Sequence, residues 1–277
     1  MILEVNHRTH YAYTEAIFPE PSHLYLHPAV RPHFHVRDHQ IQVYPKPSGL
    51  SPRMDVENNT FYQMWFNGTL TSLTIDTSLR VDIVPYNPFD FLLETEPRTP
   101  HQEAVVPYLQ VTEKLTSAML AWSMSILEVT SDNLIFVTMM AREIGEHWEH
   151  VLRYEADLLP IDLCFTSKKG SCRDLSWMMI QVLRHHQIPA RFVSGYAFNP
   201  ELEGHELHGW VEVWLKGAGW VAVDPSAGLL ATEYYIPLAA SYHPANTLPV
   251  QGAFRGQASA KLTTSVDIGL VAGNSPD

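Results

Sequence analysis

Cysteine is scarce: Cys164 and Cys172 are the only two in 277 residues, so no disulfide framework holds this fold together. Positive charge is scarce too. Eighteen Lys and Arg stand against 30 Asp and Glu, a formal net charge of −12, and residues 1–110 carry 7 of those bases with 12 of the acids. With no basic module behind an acidic tail, indiscriminate binding of a phosphate backbone is excluded. No segment approaches the roughly 18 apolar residues of a membrane span. The opening MILEVNHRTHYAY is broken by Glu4, Asn6 and Arg8, unlike a leader's apolar stretch, so the expectation is a cytoplasmic chain with no membrane or nucleic-acid partner. P-loop and dinucleotide fingerprints are missing, and no cofactor is expected. His185, His186, His205 and His208 stand out among 15 His. Without an H-E-x-x-H, or a second cysteine at metal-ligand spacing, no catalytic metal is expected.

What is present reads as a folded protein: 45% of residues are hydrophobic and 17% charged, and the length suits two domains. The first part alternates with period two, as in Ile41 and Val43 between Gln40, Gln42 and Tyr44, or Leu73 and Ile75 beside Thr74 and Asp76. This is the pattern of half-buried strands. Residues 1–86 are therefore expected to form an N-terminal all-β domain, a small sandwich; the alternative is that these strands extend the next domain's sheet. A connector is expected over 87–105, where Pro88, Pro97 and Pro100 fall among charges. From 106 to 277 the composition shifts, with helical spacing in YLQVTEKLTSAMLAWSMSILEV and DNLIFVTMMAREIGEHWEHVL, giving an α+β unit. The terminal GNSPD is expected to fray.

The sharpest local signal begins at Gly170, in GSCRDLSWMMIQVLRHHQIPARFVSGY. Ser171 and Asp174 have the spacing of a capping box, which makes Cys172 the first residue of a helix that Pro189 ends. Leu175, Met179, Val182 and Leu183 supply its buried stripe. A sulfur in the first helical turn faces unpaired amides and the positive end of the dipole, so its thiolate is favoured. Asp174 reads as a capping and salt-bridging residue, Arg173 as structural or cleft-lining. Cys164, in LPIDLCFTS, precedes any expected helix and sits among apolar neighbours that keep it a neutral thiol.

A second segment, HGWVEVWLKGAGWVAVDPS from His208, reads as a β-hairpin. Its register decides whether His208 and Asp224 share a face. A two- or four-residue loop puts them on opposite faces; a three-residue loop at Gly217–Gly219 pairs 214 with 220 and 210 with 224, and puts them together. Trp210 and Trp214 are candidates for lining an acyl cleft or for packing. Cys172, His208 and Asp224 then have the types that thiol catalysis needs: nucleophile, proton carrier and the acid that orients it. The Cys172 amide is one oxyanion donor; a second is not identifiable from the sequence.

At these residues the chain resembles the transglutaminase-like superfamily, in its bacterial form with a strand-rich N-terminal region. The G-x-C-R-D segment appears as Gly170, Cys172, Arg173 and Asp174. The I-P-A-R-x-V-x-G-Y strand runs from Ile188 to Tyr196, H-x-W-x-E-V from His208 to Val213, the G-x-G-W turn from Gly217 to Trp220, and D-P-T/S as Asp224, Pro225 and Ser226. The resemblance extends to Tyr154–Cys164 and to LPVQGAFRG. It implies a papain-like, transglutaminase-like core, with the Cys-bearing helix packed on an antiparallel sheet, and a catalytic triad of Cys172, His208 and Asp224. Relatives often have Ala after the His, Thr after Asp-Pro, and a Gly-Arg-Asp-Tyr stretch where this chain has Ala239, Ala240 and Ser241 before Tyr242. The implied activity is cysteine-dependent hydrolysis of peptide or amide bonds through a thioester acyl-enzyme, with a peptide or protein amide as substrate. Protein-glutamine transamidation and a non-catalytic binding role on the same scaffold stay open.

Overall fold

The structure is a computed structural model and describes residues 1–94, 103–130, 132–153, 155, 157–201 and 204–271. Residues 95–102 of the expected connector, Tyr154 and the terminal GNSPD lie outside the described residues.

The chain opens with β1 (Ile2–Pro19), a strand long enough to take several partners. It pairs antiparallel with β6 (Leu70–Ile83), which pairs with β3 (Phe34–Tyr44). A second sheet joins β2 (Ser22–Leu24), β5 (Thr60–Trp65) and β4 (Gly49–Met54). The alternation read from the sequence is the alternation of burial: Leu73, Ile75, Thr77, Leu79, Val81 and Ile83 of β6 point inward, because successive side chains of a strand face opposite sides. Leu3, Val5, Leu24, Met64 and Leu79 meet in one apolar cluster between these sheets.

The C-terminal residues return to this part of the molecule. Strand β14 (Val250–Gln251) pairs with β2, and both β15 (Phe254–Arg255) and β16 (Ala260–Val271) pair with β1, from Ile2 opposite Val271 to Tyr13 opposite Ala260. A division into 1–86 and an uninterrupted unit 106–277 therefore does not describe residues 250–271. Local alternation such as Val266 and Ile268 marks a strand without naming its partner, and here the partner is the other end of the chain.

The intervening residues form a helix-on-sheet unit. Helices α1 (Ser117–Leu127), α2 (Asn133–His147) and α3 (Ile161–Ser167) surround α4 (Cys172–His185). Helix α4 packs on an antiparallel sheet ordered β12 (Leu229–Leu230), β11 (Gly219–Asp224), β10 (Leu207–Leu215), β9 (Ala190–Ala197) and β13 (Tyr235–Ser241). Burial on α4 exceeds the expected stripe: Leu175 through Arg184 are all buried, since the sheet covers one side and helices the other. The helix expected from Tyr108 begins only at Ser117, capped by Thr116. Upstream, the amides of Thr112 and Glu113 donate to the Gln181 side chain at 2.8 and 3.2 Å, which draws that stretch out along α4. Cys164 lies within α3, not before a helix.

The two parts interlock through buried polar contacts. Asn59 exchanges two hydrogen bonds with the Ala240 backbone, at 2.8 and 2.9 Å. His7 Nδ1 lies 3.0 Å from the Tyr196 hydroxyl, so Tyr196 serves this junction. Glu212 of β10 binds Arg191 of β9 at 2.6 Å and Arg31 from the β2–β3 loop at 2.7 Å.

Candidate active site

Helix α4 begins where the sequence places it. Ser171 is the N-cap, its amide and hydroxyl donate to Asp174 Oδ2 at 2.8 and 2.7 Å, and the Asp174 amide reaches back to Ser171 Oγ. Asp174 does more than cap. It also accepts from Arg153 Nη1 at 2.9 and 2.8 Å and from the Leu159 amide at 2.8 Å, fastening the segment between α2 and α3 to the start of α4. Burial alone would raise the Asp174 carboxyl; the Arg153, Leu159 and Ser171 donors outweigh it and hold the group below its ordinary value. Arg173 donates to the Glu155 carbonyl at 2.5 Å, a structural role.

Cys172, 9% exposed, is the first residue of α4. His208 and Asp224 come from the hairpin β10–β11, whose register pairs Trp214 with Trp220 and Leu215 with Gly219. The loop is Lys216–Ala218, three residues long as the shared face requires but one position earlier than expected. Its Gly217 has φ 88°, and a Cβ there would lie 2.4 Å from the Leu92 carbonyl, so only glycine fits beneath the connector. His208 Nε2 lies 2.6 Å from Asp224 Oδ2. That leaves Nδ1 as the other ring nitrogen, and the Cys172 charge is close enough to help raise the imidazole. Ser176, one turn into α4, donates to the Gly209 carbonyl at 3.2 Å, tying the helix start to the strand that carries His208.

Asp224 is fully occupied. The Ser226 amide and hydroxyl donate to Oδ1 at 2.9 and 2.7 Å, and the Tyr235 hydroxyl joins His208 on Oδ2 at 2.8 Å. Burial pushes Asp224 up, but His208, Ser226 and Tyr235 carry it down to about 2. For Tyr235, burial and the adjacent carboxylate both raise the phenol, which stays a donor. Burial lowers His208, and the charges of Asp224 and Cys172 reverse this and hold the imidazole well above its ordinary 6.5. Burial raises the Cys172 thiol; the His208 charge and hydrogen bonds from His150 and His208 bring it down to about 6. The pair is thus a thiolate and an imidazolium near neutral pH. Cys164 differs: burial, then the Asp174 charge, push it up to about 12.

Two members of this cluster, His150 and Tyr235, have no mark in the sequence. His150 belongs to β7 (Glu149–His150), a two-residue parallel bridge to β8 (Lys169–Gly170), and Tyr235 arrives on β13, beyond the hairpin. Trp210 packs: it is 1% exposed, its ring stacked 6.3 Å from His208 and edge-on to Tyr235 at 5.3 Å. His186 is taken by Ser123 and His205 stacks on Phe198. Among the described residues no three His, Cys, Asp or Glu converge to hold a metal ion.

Two family models match this chain. The transglutaminase-like superfamily model covers residues 133–225, and the bacterial transglutaminase-like N-terminal region covers residues 3–82; together they account for more than half of the chain. The chain belongs to the transglutaminase-like superfamily. It is 30% identical to an uncharacterized Mycobacterium leprae protein over 107 residues, 36% of this chain and 37% of that one. It is 37% identical to a Pseudomonas aeruginosa protein-glutamine gamma-glutamyltransferase over 73 residues, 24% of this chain and 11% of the relative. The chain thus matches well under half the length of these two relatives. An uncharacterized Mycobacterium tuberculosis protein is 23% identical with 95% of this chain and 91% of its own length covered. Among solved structures, a proposed cysteine protease from Cytophaga hutchinsonii superposes with a TM-score of 0.75 at 18% identity, covering 100% of this chain and 93% of the other, which shows the fold.

Within this transglutaminase-like fold, the small departures from relatives have local reasons. A Cβ at Gly209 would sit 2.5 Å from Phe192 Cζ, so alanine is disfavoured while Phe192 occupies β9. Ser226 keeps the hydroxyl that the usual Thr would bring to Asp224. No helix among the described residues is long and apolar enough to cross a membrane.

Proposed function

We propose that this chain is a cysteine-dependent acyl-transfer enzyme that hydrolyses peptide or amide bonds, with Cys172, His208 and Asp224 as its catalytic triad. The observation that carries the reading is geometric: Cys172 opens α4, Ser176 ties that first turn to the strand of His208, and His208 Nε2 is held 2.6 Å from Asp224 Oδ2; the depression of the Cys172 thiol by the His208 charge agrees with it. The Cys172 thiolate attacks the amide carbonyl, forming an S–C bond as the π pair moves to oxygen. The oxyanion is held at the first turn of α4, where the Cys172 amide has no intrahelical acceptor. Collapse breaks the C–N bond, and His208 gives its proton to the departing amine. Neutral His208 then takes a proton from water as it adds to the thioester, and acid and thiolate are released with the imidazolium restored.

Release by water requires no second binding surface and is the reading adopted. Amine transfer is the second reading, favoured by the name of the P. aeruginosa relative. A cytoplasmic place of action is part of the proposal, since both cysteines are unpaired and a low-pKa thiol persists best under reducing conditions. Incubating the protein with a peptide library, with and without a primary amine, and reading products by mass spectrometry tests the proposal. Shortened or deamidated peptides are expected; amine adducts would replace hydrolysis by transfer. An unchanged library, with Cys172 no more reactive toward a thiol probe than Cys164, would leave the non-catalytic binding role.

A further inference from the structure

Two donors share Asp224 Oδ2: His208 Nε2 at 2.6 Å and the Tyr235 hydroxyl at 2.8 Å. The Ser226 contacts to Oδ1 come from two residues along the same turn, so they move with Asp224. Tyr235 comes from elsewhere. It lies on β13, at the edge of the sheet beyond β9 and β10, and it fixes the carboxylate from outside the hairpin. Its own place is closely set. A Cβ at Gly195 of β9 would lie 2.2 Å from the Ile236 carbonyl and 2.7 Å from Trp210 Cη2, so the bare backbone there lets β13 and the indole close in together. Trp210 then backs both His208 and Tyr235, and the Tyr235 ring meets the imidazole edge-on at 6.1 Å. Behind them, the β2–β3 loop grips the backbone of β13. His33 Nε2 donates to the Tyr235 carbonyl at 3.2 Å, and the Ala29 amide donates to the Pro237 carbonyl at 2.7 Å. Arg31 of the same loop binds Glu212, two residues beyond Trp210 on β10.

We propose that Tyr235 is a positioning residue, seated by the β2–β3 loop, whose hydroxyl keeps the Asp224 carboxylate turned toward His208 and so keeps the imidazole aimed for proton transfer. The inference rests on the acyl-transfer reading above. A carboxylate tied only within its own turn can swing about its side-chain bonds. A second oxygen pinned from another strand removes that freedom, and the imidazole it orients loses the same freedom. His33 stands 202 positions before Tyr235, so the strand-rich opening of the chain takes part in the geometry of the site without touching substrate.

Proton NMR sees the His208–Asp224 bond itself, because an imidazole N–H donated to a carboxylate at 2.6 Å resonates far downfield of the backbone amides; its loss in D224A assigns it. In Y235F the resonance is expected to move upfield or broaden by exchange, and single-turnover acylation by p-nitrophenyl acetate is expected to slow by roughly fivefold, the worth of one ordinary hydrogen bond. H33A leaves the tyrosine hydroxyl in place and removes a contact behind it. It is expected to change the resonance in the same direction, and H33Q, which keeps an N–H donor for the Tyr235 carbonyl, is expected to restore it. A merely structural role would lower the urea midpoint of Y235F while the folded protein kept the wild-type resonance and acylation rate; that result overturns the positioning role. An H33A resonance identical to wild type overturns the part given to the loop. Failure of the wild type itself to be acylated overturns the acyl-transfer reading and this inference with it, whereas an acylated wild type matched by Y235F in rate and resonance strikes the inference alone.

Discussion

His208 Nε2 meets Asp224 Oδ2 at 2.6 Å across 16 positions of chain because the hairpin between them closes on three residues. A loop one residue shorter or longer would carry Asp224 to the opposite face of the strand. The contact has a ranked consequence. Asp224→Ala removes both the charge and the acceptor and is expected to slow acylation by at least about 100-fold, while Asp224→Asn, which keeps an oxygen for the imidazole, is expected to fall between it and wild type. Tyr235→Phe leaves Asp224 with His208 and Ser226 and is expected to cost less than either. Stopped-flow acylation with p-nitrophenyl acetate orders the three.

The pH profile follows from opposite shifts in the two partners. Cys172, depressed to about 6, becomes thiolate as pH rises through that value. His208, raised well above 6.5, keeps its proton past neutrality. With an amide substrate, whose leaving nitrogen must take a proton, the rate of acylation is expected to rise through about pH 6, hold across neutrality, and decline only when His208 loses its proton. A single ascending limb near pH 8.5 in stopped-flow rates would contradict the ion pair.

Legibility in the sequence followed the range of the interactions. Ser171, Cys172 and Asp174 could be read because a capping box is three residues long; the hairpin could be read as a hairpin, while its register stayed open because the sequence allows loops of two, three or four residues and the structure closes it on Lys216–Ala218. The Arg153 and Leu159 contacts to Asp174, the Tyr235 hydroxyl on Asp224 and the approach of His150 each depend on folding distant segments together, and no periodicity announces them. The same holds for β16: its alternation marks a strand, while its pairing with β1 comes from closing the first sheet with the other end of the chain. The sequence does not mark Cys164 as helical because α3 is only seven residues long, too short to show a helical stripe.

Glu212 is 2% exposed between Arg31 and Arg191, and the two guanidiniums outweigh burial to bring its carboxyl down to about 2. Glu212→Gln leaves two cations facing a neutral amide and is expected to destabilise the protein by about 3–5 kcal/mol in urea unfolding. The pH sign is fixed: the depressed carboxyl contributes stability above its unfolded pKa of about 4.3, and loses it as pH falls toward about 2. The gap between wild type and E212Q should therefore close on acidification. A gap that widens would contradict the account.

Gly209→Ala is expected to destabilise the fold by about 1–3 kcal/mol through overpacking against Phe192, and a smaller residue at 192, as in Phe192→Leu, should recover part of that loss. Thermal unfolding of the two single variants and the double variant measures the coupling.

The central claim is that Cys172 is a thiolate held by His208, and site-resolved iodoacetamide kinetics from about pH 5 to 9 test it most directly. Peptide mapping follows the two cysteines separately in wild type and H208A. Cys172 is expected to react with an apparent pKa near 6 while Cys164, pushed up to about 12, stays unlabelled; H208A should suppress the reaction near neutral pH. Equal rates at the two cysteines, or an apparent pKa for Cys172 near the unperturbed value of about 8.5, would contradict it.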